Sequence, residues 1–307
     1  MNSSIILAFD VGGTQIKAAA LINGSIISPS VAQYDAHSDQ GASEIIARFV
    51  AIASDVLLRA GSADKPIGGI GMAFPGPFEY ENGISRIQGL AKYESLYGLP
   101  FGNLLEEAIR EEASLKYRLD PDFRIRFEND AALFGLGEAG FGTALGAKRT
   151  VFLTVGTGLG SCFLENGQLV KERFDVPDNG WLYTIPYKSG IADDYASRRG
   201  VLELASELGM DGKGMDVHEF AALANEGDPA SIQLFAAFGE RMAVILEQPL
   251  HAYQPDLIVF GGQISKSGHL FVPAFQNKLA ALGIFVRVAI SQDTLESTFK
   301  GIYEFVK

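Results

Sequence analysis

The chain has 307 residues, 47% hydrophobic and 20% charged, an ordinary globular mix that excludes disorder, coiled coil and collagen and allows about two domains. With 37 acidic against 25 basic residues its net charge is −12, which argues against a nucleic-acid partner. Cys162 is the only cysteine, so an internal disulfide and every Cys–Cys zinc motif are excluded, as suits a reducing cytoplasm. No window of about 18 apolar residues predicts a membrane span, and the start lacks the basic segment of a secretion signal. A cytoplasmic protein without a membrane partner is therefore expected.

Residues 4–11 predict a first strand, ending in Gly12-Gly13-Thr14. Residues 16–22 predict a second, closed by Asn23-Gly24, a strong hairpin signal between β-type runs. Apolar residues at Ile45, Ile46, Phe49, Val50, Ala53, Val56 and Leu57 predict a helix over 43–60. A buried strand over 67–74, a helix over 104–115, a strand over 123–127 and a short helix over 131–139 follow. Residues 150–155 are a further apolar run, ending in Gly156-Thr157-Gly158-Leu159-Gly160 and continued by 161–164 and Asn166-Gly167. Helices are predicted over 192–208, 217–224 and 230–253, with Pro249 kinking or ending the last. A strand over 257–260 precedes Gly261-Gly262, then come a helix over 270–282 and a strand over 285–289. The repeated order of strands and helices predicts an α/β chain with mixed sheets. Val11-Gly12 recurs as Val155-Gly156 and Asn23-Gly24 as Asn166-Gly167, at offsets of 144 and 143 residues. Two related halves would produce this; chance likeness of two glycine-rich hairpins is the alternative.

Asp10-Val-Gly-Gly-Thr-Gln-Ile-Lys17 sets a strand-end carboxylate before a glycine turn. Such a turn lets backbone N–H groups approach an anion while the carboxylate holds hydrated Mg²⁺, although a plain hairpin with a capping Asp reads the same way. In the second glycine loop the third glycine comes one position early and a strand follows, which excludes a dinucleotide fingerprint, and no P-loop motif occurs. Glu128-Asn129-Asp130 lies between a strand and a helix. Asp there is an N-cap or, with Asn beside it to bind a hydroxyl, a proton acceptor.

In order, Asp10-Val-Gly-Gly-Thr-Gln-Ile-Lys17, Pro75-Gly76-Pro77, Glu128-Asn129-Asp130-Ala131, Thr154-Val-Gly-Thr-Gly-Leu-Gly160 and Gly261-Gly262 resemble the motifs of the ROK family of sugar kinases and repressors. The resemblance implies a two-lobed, actin-like or ribonuclease-H-like ATPase fold, with mixed sheets flanked by helices and a central cleft. The expected lobes are 1–118 with 294–307, and 119–293. It implies Asp10 at Mg²⁺ through water, and Gly12, Gly13, Thr14, Lys17, Gly156, Thr157 and Gly158 at the phosphates. Gly261 and Gly262 would lie by the adenosine, Asn129, Glu128 and Gly76 at the sugar, with Asp130 as general base. The activity implied is ATP-dependent, glucokinase-like phosphorylation of a sugar or sugar-like hydroxyl, and a homodimer is a family-based expectation. The alternative is a non-catalytic sugar- or nucleotide-sensing protein without a DNA-binding domain, since the family's repressors carry a helix-turn-helix ahead of the first motif and only nine residues precede Asp10.

The family's Glu-x-Gly-His and cysteine-rich zinc loop have no match over residues 170–187, so no zinc is expected. The Asn-Leu that follows Pro-Gly-Pro is altered to Gly89-Leu90. Candidate replacements in the sugar pocket are Asp175, Asp178, Asn179, Trp181 and Tyr183, Trp181 by stacking on a sugar face and the polar groups by reading hydroxyls. Equally, Trp181 is packing and Asp178-Asn179-Gly180 a turn. His37, His218, His251 and His269 have no metal-ligand spacing.

Overall fold

In the computed structural model, which describes residues 4–62, 65–210 and 214–307, the first apolar run forms β1 (Ile5–Val11) and turns back into β2 (Gln15–Ile22). Asn23 and Gly24 take φ of 52° and 76°, the left-handed pair that an Asn-Gly hairpin turn requires. They lead into β3 (Ser25–Ile26), after which β4 (Ala32–Asp35) pairs with β2. The apolar stripe of α1 (Ala42–Ala60) joins the core with Phe9 and Ile70. Next come β5 (Ile67–Ala73), the small hairpin β6 (Phe78–Glu79) and β7 (Ile84–Ser85), α2 (Phe101–Glu111), β8 (Leu119–Glu128) and α3 (Asp130–Phe141). The sheet order is β3-β2-β1-β5-β8, antiparallel at the hairpins and parallel from β1 through β5 to β8.

A second unit repeats the five-strand path of this sheet. β9 (Arg149–Val155), β10 (Leu159–Glu165) and β11 (Gln168–Val170) form the glycine-looped meander. Asn166 and Gly167 again take positive φ, 49° and 78°. The hairpin β12 (Pro186–Tyr187) and β13 (Gly190–Ile191) leads into α4 (Ala192–Tyr195), α5 (Arg198–Glu207), α6 (Val217–Asn225) and α7 (Pro229–Tyr253). Then β14 (Leu257–Gly261), α8 (Gly268–Ala281) and β15 (Arg287–Ile290) complete the order β11-β10-β9-β14-β15. The chain returns to the first unit as α9 (Thr294–Val306).

One compact unit is the chain up to Phe141 with Leu295–Lys307, the other Gly142–Thr294. The division therefore lies after Phe141, not at residue 118. β8 pairs along β5 from Ile67↔Leu119 to Ala73↔Glu128, and α3 is crossed so closely by α9 that a β-carbon on Gly137 or Gly301 would overlap the Ser297 or Leu133 carbonyl. Ser297 Oγ donates to the buried Glu138 carboxylate at this crossing, 2.7 Å.

One helix prediction is corrected. The segment 192–208 breaks at Ala196–Ser197, where Ser197 is extended and its hydroxyl donates to the Asp193 carbonyl, 2.6 Å. α7 runs through Pro249 to Tyr253, because a proline one turn from the end forfeits a single backbone bond.

Candidate active site

The parallel strands of the first unit carry the predicted residues to one edge. Asp10 on β1 is level with Ala73 on β5, and Ala73 with Glu128 on β8. The carboxyl ends of parallel strands are where ligands bind in open α/β sheets. Gly76 follows β5 and is exposed, and Asn129 and Asp130 follow β8. Asn129 caps α3, its Oδ1 accepting the N–H of Ala131 at 3.0 Å and of Ala132 at 3.4 Å, which leaves its side-chain amide N–H groups for another partner. Glu128, expected at the sugar, is buried (5% exposed) and accepts the Asn129 N–H at 2.8 Å.

The first glycine turn is closed by the Gly12 N–H donating to the Gln15 carbonyl, 2.9 Å. Outside it, the Ser38 hydroxyl donates to the Gly13 carbonyl and the buried Tyr93 hydroxyl to the Gly12 carbonyl, 2.9 Å. Thr14 is exposed, and its carbonyl accepts the Ala36 N–H at 2.8 Å. Lys17, opposite Asp10 across the hairpin, brings Nζ to 4.0 Å from the Asp10 carboxylate.

Burial pushes the Asp10 carboxyl up to about 6; Lys17 lowers it and the nearby Asp130 charge raises it again. Asp130 is also raised, chiefly by the protein packed around it, against hydrogen bonds from the Ala131 and its own backbone N–H and the charge of Lys92. It stays open to water, since a water-sized path to a carboxylate can coexist with protein on most other sides. Two neighbouring carboxylates, of which Asp130 raises the proton affinity of Asp10, favour a proton or a cation. Among the described residues no group of three or more His, Cys, Asp or Glu could hold a metal.

In the second unit, β14 carries Gly261 level with Thr154 on β9, so both glycine elements also meet at strand ends. Gly156 N–H donates to the Gly158 carbonyl at 3.0 Å and Arg198 N–H to the Gly156 carbonyl at 2.8 Å, and Thr157 is exposed. Gly261 is buried as the last residue of β14, whereas Gly262 has φ of 90° and lies so near Val155 that a β-carbon would come 2.5 Å from its carbonyl oxygen. Only glycine suits that position. The sequence reading missed Asp193. Its Oδ1 accepts the Leu159 N–H at 2.6 Å while Arg199 pairs with Oδ2, which holds the loop from behind.

Asp178, Asn179 and Gly180 form the tight turn that was the plainer alternative. Asn179 and Gly180 have φ of 57° and 74°, and Ser161 Oγ pins the turn by donating to the Gly180 carbonyl, 2.7 Å, and accepting the Leu182 N–H, 2.8 Å. Asp178 and Asn179 are exposed, and the half-buried Trp181 sets its ring 5.7 Å from that of Tyr183, which packs on the core. Asp175 is corrected outright. It is 8% exposed and bridges Arg149 (2.6 Å) and Arg173 (2.5 Å), with no free oxygen edge for a sugar.

A glucokinase from Thermotoga maritima is 24% identical over 321 residues, covering 98% of this chain and 91% of that protein. An N-acetyl-D-glucosamine kinase from Haemophilus influenzae is 24% identical over 284 residues, 85% of each chain. The crystal structure of a glucokinase from Parabacteroides distasonis superposes with a TM-score of 0.79 over 99% of this chain and 98% of that one, at 20% identity. The paired, like-ordered sheets are the actin-like ATPase fold. With the ROK family model matching residues 6–288, the chain belongs to the ROK family.

Proposed function

We propose that the chain is an ATP-dependent kinase that phosphorylates a hydroxyl of a sugar or a sugar-like molecule. The observation that carries this reading is the placement of Asp10 at the carboxyl end of β1 and of Gly76, Asn129 and Asp130 just past the carboxyl ends of β5 and β8, with both aspartates drawn above the usual carboxylate range. Full-length likeness to relatives named as glucokinase and N-acetyl-D-glucosamine kinase supports it.

In this reading the Asn129 amide donates to an acceptor hydroxyl and Asp130 takes that hydroxyl's proton. The raised proton affinity of Asp130 suits it to the transfer. The acceptor oxygen forms a bond to the γ-phosphorus as the bond to the β,γ-bridging oxygen breaks, and ADP leaves with that electron pair. Backbone N–H groups of Gly13 and Thr14, in the turn that Gly12 closes, and the Lys17 ammonium serve the phosphates. Gly156, Thr157, Gly158 and the Gly261-Gly262 corner serve the nucleotide, steadied by Asp193 and Arg198. Asp10 is a hard oxygen donor, which fits Mg²⁺, an ion that keeps waters and takes one or two carboxylates beside substrate phosphates. When bound, it neutralises charge on the phosphate oxygens. Trp181 in the altered segment offers an aromatic face to a sugar ring.

The test is ADP release with Mg-ATP across hexoses, amino sugars, N-acetylated sugars and polyols, beside Asp130→Asn. Turnover with one class, cut on the order of 10²–10⁴-fold in the variant with nucleotide affinity kept, is expected. Equal activity in the variant removes Asp130 as base; nucleotide binding without turnover on any acceptor favours the sensing alternative.

A further inference from the structure

Lys92 lies between β7 and α2, and the reading above gives it no part. Its loop has a costly backbone: Gly89, Ala91 and Tyr93 take φ of 71°, 52° and 54°, and two of these carry a Cβ that disfavours the left-handed region. Tyr93 holds the loop in place. It is fully buried, its N–H donates to the Ser38 carbonyl at 2.6 Å, and its hydroxyl donates to the Gly12 carbonyl at 2.9 Å. Since Ser38 itself donates to the Gly13 carbonyl, the loop is tied to both carbonyls of the first glycine turn. Ala91 N–H, on the other side of Lys92, donates to Glu94 Oε1 at 2.9 Å.

The residue fixed between these ties is laid over the turn. A β-carbon on Gly13 would stand 2.8 Å from Lys92 Cδ and 3.5 Å from its Cβ, so the missing side chain of Gly13 is what admits the lysine stem. Lys92 is half-buried, and among the described residues no carboxylate lies within 4.0 Å of its ammonium. Its charge nonetheless reaches Asp130, whose pKa it lowers. An ammonium partly withdrawn from water, without an ion pair and strapped across a turn of backbone N–H groups, is set to receive an anion.

We propose that Lys92 binds the terminal phosphoryl group of the nucleotide, contributing a side-chain charge above the Gly12–Thr14 turn on the side of Asp130. The inference rests on the kinase reading. The phosphoryl group in flight lies between the turn and the acceptor, and Lys92 is a cation that lies over the turn and lowers the pKa of Asp130. An ammonium contributes there as a compact point charge.

The experiment uses the full chain and the variants Lys92→Met, which keeps the stem against Gly13, and Lys92→Arg, which keeps the charge. Calorimetry with ADP and with the β,γ-imido analogue of ATP is run beside turnover. Lys92→Met should lose at least about tenfold in affinity for the ATP analogue, keep ADP affinity within about twofold, and fall on the order of 10²-fold in kcat/KM; Lys92→Arg should recover most of each loss. Should Lys92→Met fold poorly, Lys92→Gln gives the same comparison. Wild-type protein that binds and turns over ATP while Lys92→Met matches it, or loses ADP and the analogue alike, overturns the role of Lys92 alone. Wild-type protein that binds neither nucleotide overturns the kinase reading itself.

Discussion

Asp10 is tolerated by the fold more readily as the neutral acid. Its folded pKa of about 6 lies above the ordinary aspartate value of 3.8, so its contribution to stability is intact below about pH 4 and lost as pH rises through 6. The ion pair with Lys17, at 4.0 Å with both groups about a third exposed, offsets at most about 1 kcal/mol of this. Asparagine at position 10 escapes the penalty. In ligand-free protein with metal chelated, Asp10→Asn should match wild type at about pH 4 and below and melt about 2–4 °C higher at pH 8, the shift of about 1–2 kcal/mol expected of a partly solvated carboxylate, while losing Mg²⁺-dependent turnover. A lower melting temperature at pH 8 would mean that Lys17, not burial, dominates at Asp10. The sequence singled out Asp10, Asn129 and Asp130 because few residue types can do this chemistry, and the structure sets them at the ends of parallel strands of one sheet. Lys92, Tyr93 and Asp193 were not legible there, since each acts through a loop whose contacts lie far along the chain.

At the scale of elements, the return segment after β11 is held by ions. Asp175 joins Arg149 at the start of β9 to Arg173, Arg173 also pairs with Glu165 at the end of β10 (2.7 Å), and the Arg149 guanidinium lies 4.4 Å over the Tyr253 ring of α7. The sequence reading placed Asp175 among sugar contacts because an acidic residue in a gap of altered motifs is equally an active-site or a structural group until its partners are known. The arginines hold its carboxyl below the ordinary range, Arg173 most. With the folded pKa below the unfolded one, the stabilisation is present above about pH 4 and is lost as pH falls beneath it. Asp175→Asn leaves two guanidinium groups without their shared partner, costing about 3 kcal/mol or roughly 5–10 °C in melting temperature at pH 7. The gap to wild type should narrow in acid, and KM for the acceptor should stay within about twofold. A KM rise at unchanged stability would return Asp175 to the sugar.

For the whole molecule, the duplicated hairpins at offsets of 144 and 143 residues announced what the sheets display, the same five-strand order twice. The boundary was misplaced because the pairing of β8 with β5 and the crossing of α3 by α9 are long-range choices with no mark in local composition. The chain carries a net charge of −12, and its first glycine turn stands beside two carboxylates that already resist sharing negative charge. Metal-free ATP is a further polyanion, so its approach is opposed both by the field of the whole chain and by Asp10 and Asp130. With Mg²⁺ most of that opposition is removed. Ligand at a hundred times its dissociation constant stabilises the folded state by about 2.7 kcal/mol, so saturating Mg-ATP should raise the melting temperature by roughly 5 °C. The same ATP with chelator should give less than half that rise, and added salt should narrow the difference by screening the exposed charges. Equal protection with and without Mg²⁺ at low salt would mean that the carboxylate pair does not call for a cation, and Asp10 would lose its place at the metal.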